Sequence, residues 1–266
     1  MEKIYSLYNG KIKLVFDEGK HTYKVNDKVV YGVTSITSVI SKPGLVYWAA
    51  NMGAQRFTEF VKPGLVLDEV IIKQIADVIR SAHVESKNKS ADIGTMIHGW
   101  LEQFLGAGLE KKPLPEMPVN PEMKNAIEAF LKWTKQNKVK FLESERKVYS
   151  IKYKYAGTCD AVATVNGKQT IIDFKTGNAV YPEMFLQTVA YQKALEEETG
   201  KKFTHNLVLR LYKEIPEEGI PPFEVIETTN HEENFKTFLA AKRIYEWQME
   251  NKKQEILNAL KVENKK

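Results

Sequence analysis

Cysteine is almost missing from this chain of 266 residues: Cys159 stands alone. One thiol excludes an intrachain disulfide framework and a Cys-x-x-Cys metal knuckle. Long apolar runs are absent as well, and none approaches the length needed to span a bilayer. The opening MEKIYSLYNG carries neither an apolar signal core nor an Arg-rich amphipathic pattern. A soluble cytoplasmic protein of a bacterium or an infected bacterium, with no membrane partner, is therefore expected. No strong excess of one charge exists either. The 39 basic and 34 acidic residues leave +5, which permits a polyanion partner without demanding one. No internal repeat is found. The chain is long enough for one large domain, or a domain with an appended lobe.

The informative stretch is 155–191, YAGTCDAVATVNGKQTIIDFKTGNAVYPEMFLQTVAY. Asn166-Gly167 is the strongest short signal for a two-residue hairpin turn. Counting outward, Val165 faces Lys168, Val162 faces Ile171, and Asp160 faces Asp173. Alternation puts Lys175 on the side of Asp173. Opposed like charges destabilise a sheet, so two carboxylates between apolar strands need a counter-charge. A divalent cation between them supplies it, and the neighbouring lysine would complete a phosphodiester-cutting site. Two other readings stand beside this one. The acids could be solvated edge residues, or the register could slip by one and separate them. Alternation turns Cys159 away from Asp160, as a small buried packing residue.

Four short elements in order resemble the PD-(D/E)XK nucleases, in their RecB-like and phage-type exonuclease branch. Gly157-Thr-Cys-Asp160 is similar to that branch's GxxD, and Asp173-Phe-Lys175 to its DxK. Gln187-Thr-Val-Ala-Tyr191 is similar to its QxxxY, and Gly94-Thr-Met-Ile-His98 to its helical histidine motif. The segment from His21 to Trp48 resembles the opening of phage exonucleases of this type. Some relatives carry a four-cysteine iron–sulfur cluster, which this chain lacks the cysteines to build.

The resemblance implies a metal-dependent DNA exonuclease in phage or bacterial recombination or repair. Its implied cofactor is Mg²⁺ or Mn²⁺, one or two ions, held by His98, Asp160, Asp173 and the Phe174 backbone carbonyl, with Lys175 orienting the attacking water. The implied partners are linear DNA with an end and a single-strand annealing or binding protein. Gln187 and Tyr191 would brace the metal strand or touch the nucleic-acid backbone. An ordinary surface pair is the other reading of these two. An endonuclease of the same fold and a catalytically silent DNA-binding module are the alternative functions.

Other candidates come from position. Glu102 shares a helix face with Gly94 and His98. Glu145, at the turn end of a strand over 139–150, could point at the metal or be a surface acid. Arg210, on the far side of a strand over 203–212, could reach a phosphate. His21 reads as structural. The order of strands and helices over 139–212 resembles that family's core and implies an α/β, restriction-endonuclease-like fold with a mixed central sheet flanked by helices. An N-terminal β meander and helical lobe (1–88) would shape a DNA channel. The nuclease core would span 89–229, and an amphipathic C-terminal helix with a frayed end 230–266. Helices are expected at 44–60, 65–86, 91–105, 122–136, 182–198 and 231–262, with loops at 87–90 and 106–121 and a short helix capped by Thr34 or Ser35.

Overall fold

A computed structural model describes residues 1–263, with side chains to residue 255. The expected fraying of the last helix falls outside the described residues. The chain divides into two compact units, residues 1–40 with 98–266, and residues 41–97. This division differs from the expected one, because the meander belongs with the sheet and not with the helical lobe.

Among the described residues, the larger unit is built on nine strands. Strands β1 (Glu2–Leu7), β2 (Ile12–Asp17), β3 (Thr22–Val25) and β4 (Lys28–Gly32) form an antiparallel meander. The apolar alternation of the sequence predicts the meander over residues 11–31 only, so β1 is an addition. Strands β5 (Lys140–Ser150), β6 (Tyr155–Val165) and β7 (Lys168–Lys175) are antiparallel neighbours. Strand β8 (His205–Leu211) runs parallel to β7, and β9 (Phe223–Glu227) antiparallel to β8. The sheet is therefore mixed, as expected.

The hairpin turn is the expected one. Asn166 and Gly167 take φ of 49° and 83°, and the register runs from Val165 opposite Lys168 to Ala161 opposite Ile172. Strand β6 is the axis of the unit. Strand β5 pairs along one of its edges from Tyr155 to Thr164. The other edge is shared, with β4 in parallel at Tyr155 and Ala156 and β7 from Ala161 onward. Residues Gly157 to Asp160 fall between the two partners and open a gap in the sheet.

Helices cover the faces. Helix α1 (Val33–Thr37) starts at Gly32 without a side-chain cap, so neither Thr34 nor Ser35 serves as one. Helix α4 (Pro121–Gln136) is capped by the Asn120 side chain, which accepts from the Met123 N–H at 3.1 Å. Its Phe130 ring meets Phe174 of β7 edge-on at 5.6 Å. Helix α5 (Pro182–Thr199) opens on a proline, where the lost N–H would have had no partner, and ends at Gly200 with φ 69°. Val189, Ala190 and Ala194 of α5 share one buried cluster with Tyr155 and with Phe235 and Phe238 of α6 (His231–Glu263). Burying such side chains is worth roughly 1.5–3 kcal/mol each. A second cluster joins the meander's Leu7, Leu14, Phe16 and Tyr23 to Tyr149 and Ala156.

In the smaller unit, helix α2 (Gly44–Phe60) matches its expected span. Arg56 pairs with Glu59 and Glu85. The expected break at Lys87–Ser90 does not exist, since α3 runs unbroken over Glu69–Glu110. Lys, Asn and Ser each cost under about 1 kcal/mol in a helix interior, and no proline or glycine interrupts them. The exposed Lys87-Asn-Lys-Ser90 run forms one turn of that helix. The helix also passes through Gly106 and Gly108, so the loop begins later than expected.

Candidate active site

The gap in β6 opens into a cavity of about 240 Å³. Asp160, Asp173, Lys175, His98, Glu145, Gln187 and Tyr191 line it, together with His21 and Tyr23 of the meander side. The hairpin register delivers the two acids. Asp160 and Asp173 follow directly on the pair Ala161–Ile172, the last rung before β6 loses its partner. There the Asp160 side chain substitutes for the ladder, and its Oδ2 accepts the Phe174 N–H at 2.7 Å. Asp173 is 3% exposed, and the Lys175 ammonium stands 2.6 Å from its Oδ2.

The electrostatics follow from this crowding. Burial first, and then the Asp173 carboxylate, push Asp160 up to about 7 against the pull of Lys175. Burial opposes the charge on Lys175, but Asp173 and Asp160 together outweigh it and raise its pKa. Glu183 of α5 adds to that effect. His98, whose Nδ1 is 3.9 Å from Asp160 Oδ2, is lowered by burial and then by Lys175. Its imidazole is accordingly neutral at pH 7, the form that can ligate a metal.

Glu145 joins the two acids for a reason no pattern in the sequence reveals. The pairs Ser144–Ala161 and Arg146–Cys159 bracket it, yet Glu145 itself sits at φ 50°, in the left-handed region. A non-glycine residue held there is strained, and such strain concentrates at working sites. Burial and then the nearby Asp160 raise its pKa.

Gln187 and Tyr191 are both buried, which overturns their reading as a surface pair. Gln187 Nε2 donates to Thr37 Oγ1 at 3.2 Å. Its Oε1, also buried, has no partner among the described residues. Tyr191 lies over Gly157, where an added Cβ would stand 2.7 Å from its ring and 3.1 Å from Val33. The ring is enclosed and cannot retreat. Gly157→Ala is therefore expected to destabilise the protein by about 1–3 kcal/mol, read as a lower urea midpoint at unchanged slope.

Two predicted residues lie elsewhere. Arg210 does not reach the cavity. Its Nε donates to the Gly177 carbonyl at 2.8 Å, its Nη1 to Glu224 at 3.0 Å, and it stacks on Tyr212. The cross-strand partner Glu224 claims it, because the two are directly opposed in the β8–β9 register. Glu102 is exposed and lines a neighbouring cavity that Glu145 also borders. Conversely, His21 reads as structural in the sequence and is a wall residue in the fold. Its φ of 49° and its edge-on contact with Phe16 at 5.1 Å fix it there. Tyr23 anchors the same wall through a 2.8 Å hydrogen bond with Thr158. Cys159 is fully buried, its Sγ donating to the Ala161 carbonyl at 3.4 Å.

Among the described residues, no three His, Cys, Asp or Glu side chains are already gathered around one metal position. The donor chemistry nonetheless fits a hard divalent cation. The cavity offers carboxylates and a neutral imidazole, with no accessible thiolate, and the mutual repulsion of its acids is what such a cation relieves.

No family model matches the chain, and no curated protein matches it. Solved structures similar to it include LHK-Exo in complex with dAMP, at 12% identity over 80% of this chain and 98% of that one, TM-score 0.35. Another is the alkaline exonuclease LHK-Exo from Laribacter hongkongensis, at 13% identity over 80% and 98%, TM-score 0.32. Likenesses this loose carry no weight for function.

Proposed function

We propose that the protein is a Mg²⁺- or Mn²⁺-dependent deoxyribonuclease that degrades linear DNA from an end. One observation carries the reading: Asp160 and Asp173 meet in a single cavity at the gap in β6, with the Lys175 ammonium on the second acid. A binding module has no use for two crowded carboxylates, which repel the phosphates it would hold. Asp160, Asp173 and His98 would hold the ion, with Glu145 and the Phe174 carbonyl as further oxygen donors. When bound, it supplies Lewis-acid polarisation of the scissile phosphate and a water of lowered pKa.

The chain's own groups do the rest. Lys175, kept charged by its two acid neighbours, offsets charge growing on the phosphate oxygens and orients the attacking water. Neutral His98 offers a lone pair. Gln187 Oε1 can accept a hydrogen bond from a water in the cavity. The products would be a 5′-phosphate and a 3′-hydroxyl. In recombination or repair, such an enzyme would act beside a protein that anneals or covers single strands.

The test is digestion of end-labelled single- and double-stranded DNA with Mg²⁺, with and without EDTA, beside closed circular DNA. EDTA-sensitive loss of linear DNA alone is expected. Cutting of closed circles would make the enzyme an endonuclease, and no cutting with any divalent cation would leave a binding module.

A further inference from the structure

Lys147 is a buried cation that this function does not use. Its side chain is 6% exposed. The ammonium stands over two rings of the meander, 5.1 Å from the centre of Phe16 and 5.5 Å from that of Tyr5. It donates to Glu145 twice, to the backbone carbonyl and to carboxylate Oε2, each at 3.2 Å. Residue 145 is also the one in left-handed conformation between two regular rungs of β5. A buried ion pair is poor evidence of stability, since apolar residues of similar volume often do as well. Two hydrogen bonds from one ammonium to both ends of a strained residue are a means of fixing its conformation.

Resting on the function proposed above, we infer that Lys147 is a positioning residue: it clamps the kink in β5 so that the Glu145 carboxylate stands in the metal cavity beside Asp160. The aromatic rings of Tyr5 and Phe16 hold the ammonium by cation–π attraction and keep water from it. The meander thereby gains a part in the site without supplying a ligand. Without the ammonium, β5 has nothing to hold residue 145 left-handed, and the strand relaxes toward regular pairing. Glu145, at 31% exposure, can then turn out to water.

The test is made on the full chain. Mn²⁺ binding is measured by calorimetry without DNA, and cleavage is followed against Mn²⁺ concentration. Lys147→Met keeps the length and the contact with the rings, through a sulfur that packs well on aromatics. It is expected to weaken Mn²⁺ binding about 10- to 100-fold, the usual effect of losing a group that orients a ligand. The Mn²⁺ concentration for half-maximal cleavage should rise by the same factor, more than the rate at saturating Mn²⁺ falls. Lys147→Arg, which retains the charge, should recover much of the affinity. Glu145→Gln should match Lys147→Met, and the double variant should bind no worse than either single one. Wild-type affinity in Lys147→Met, or additive losses in the double variant, overturns the inference. Should Lys147→Met fail to fold, unchanged Mn²⁺ affinity in Glu145→Gln overturns it alone. Wild-type protein that cuts no DNA with any divalent cation, while Lys147→Met still weakens Mn²⁺ binding, would instead defeat the nuclease reading and leave the clamp standing.

Discussion

Asp173→Ala is expected to abolish cleavage of linear DNA in Mg²⁺ and Lys175→Ala to slow it severely, each leaving the far-UV circular dichroism of the wild type. Asp173 has 3% of its surface exposed and lies on the β6–β7 hairpin, where its carboxylate faces the same cavity as Asp160. A metal-ligating carboxylate supports several kcal/mol of transition-state stabilisation, which at 1.36 kcal/mol per decade is about 10³-fold or more in rate. Lys175 should cost about 10²–10³-fold, the scale of removing one group aimed at developing charge. Its raised pKa bears on how it acts. The ammonium keeps its proton at neutral pH, so it serves as a cation and not as the base that activates water. A Lys175→Arg variant should therefore recover part of the rate, and a free amine titrating near neutrality should be missing from the pH–rate profile. Single-turnover rates on an end-labelled duplex, with Asp173→Asn as the isosteric control, decide the matter. Undiminished cutting by an alanine variant would remove that residue from the chemistry.

What the sequence made readable was local. Asn166-Gly167 dictates a two-residue turn because both positions need positive φ, and the turn fixes the register. The register then fixes Asp160 against Asp173. The helix over 182–199 announced itself through Pro182 and Gly200. What escaped was long-range. The gap at Gly157 to Asp160 exists because β4, far earlier in the chain, pairs with only the first two residues of β6. No periodicity in β6 records that. Arg210 looked free because its partners, Glu224 and Gly177, are set by tertiary register and not by spacing. Glu145 could be guessed by proximity, but its left-handed backbone and its Lys147 clamp could not. Lys87–Ser90 misled in the opposite direction: a polar run resembles a loop, although nothing in it prevents a helix.

The second large effect is on stability, and its sign is opposite to that of most active-site changes. In EDTA the wild-type protein is expected to lose stability as pH rises from about 4 to about 7. Asp160 is held at about 7 in the folded state, by burial and then by Asp173, against about 3.9 in an unfolded chain. Between those values the folded protein keeps a proton that the unfolded chain has released, so raising the pH favours unfolding. At 1.36 kcal/mol for each pH unit between the two values, the loss comes to at most about 4 kcal/mol and is complete above pH 7. Asp160→Asn removes the charge but keeps an oxygen for the Phe174 N–H. It should therefore flatten this part of the profile and raise the urea midpoint at pH 8 in EDTA, while abolishing cleavage. Saturating Mn²⁺ should restore the wild type at pH 8 and leave Asp160→Asn almost unmoved, because the ion supplies the charge that the two acids lack. Equal midpoints for wild type and Asp160→Asn at pH 8 without metal would mean that the acids do not crowd each other. The cavity would then lack the electrostatic demand on which a metal-dependent site depends.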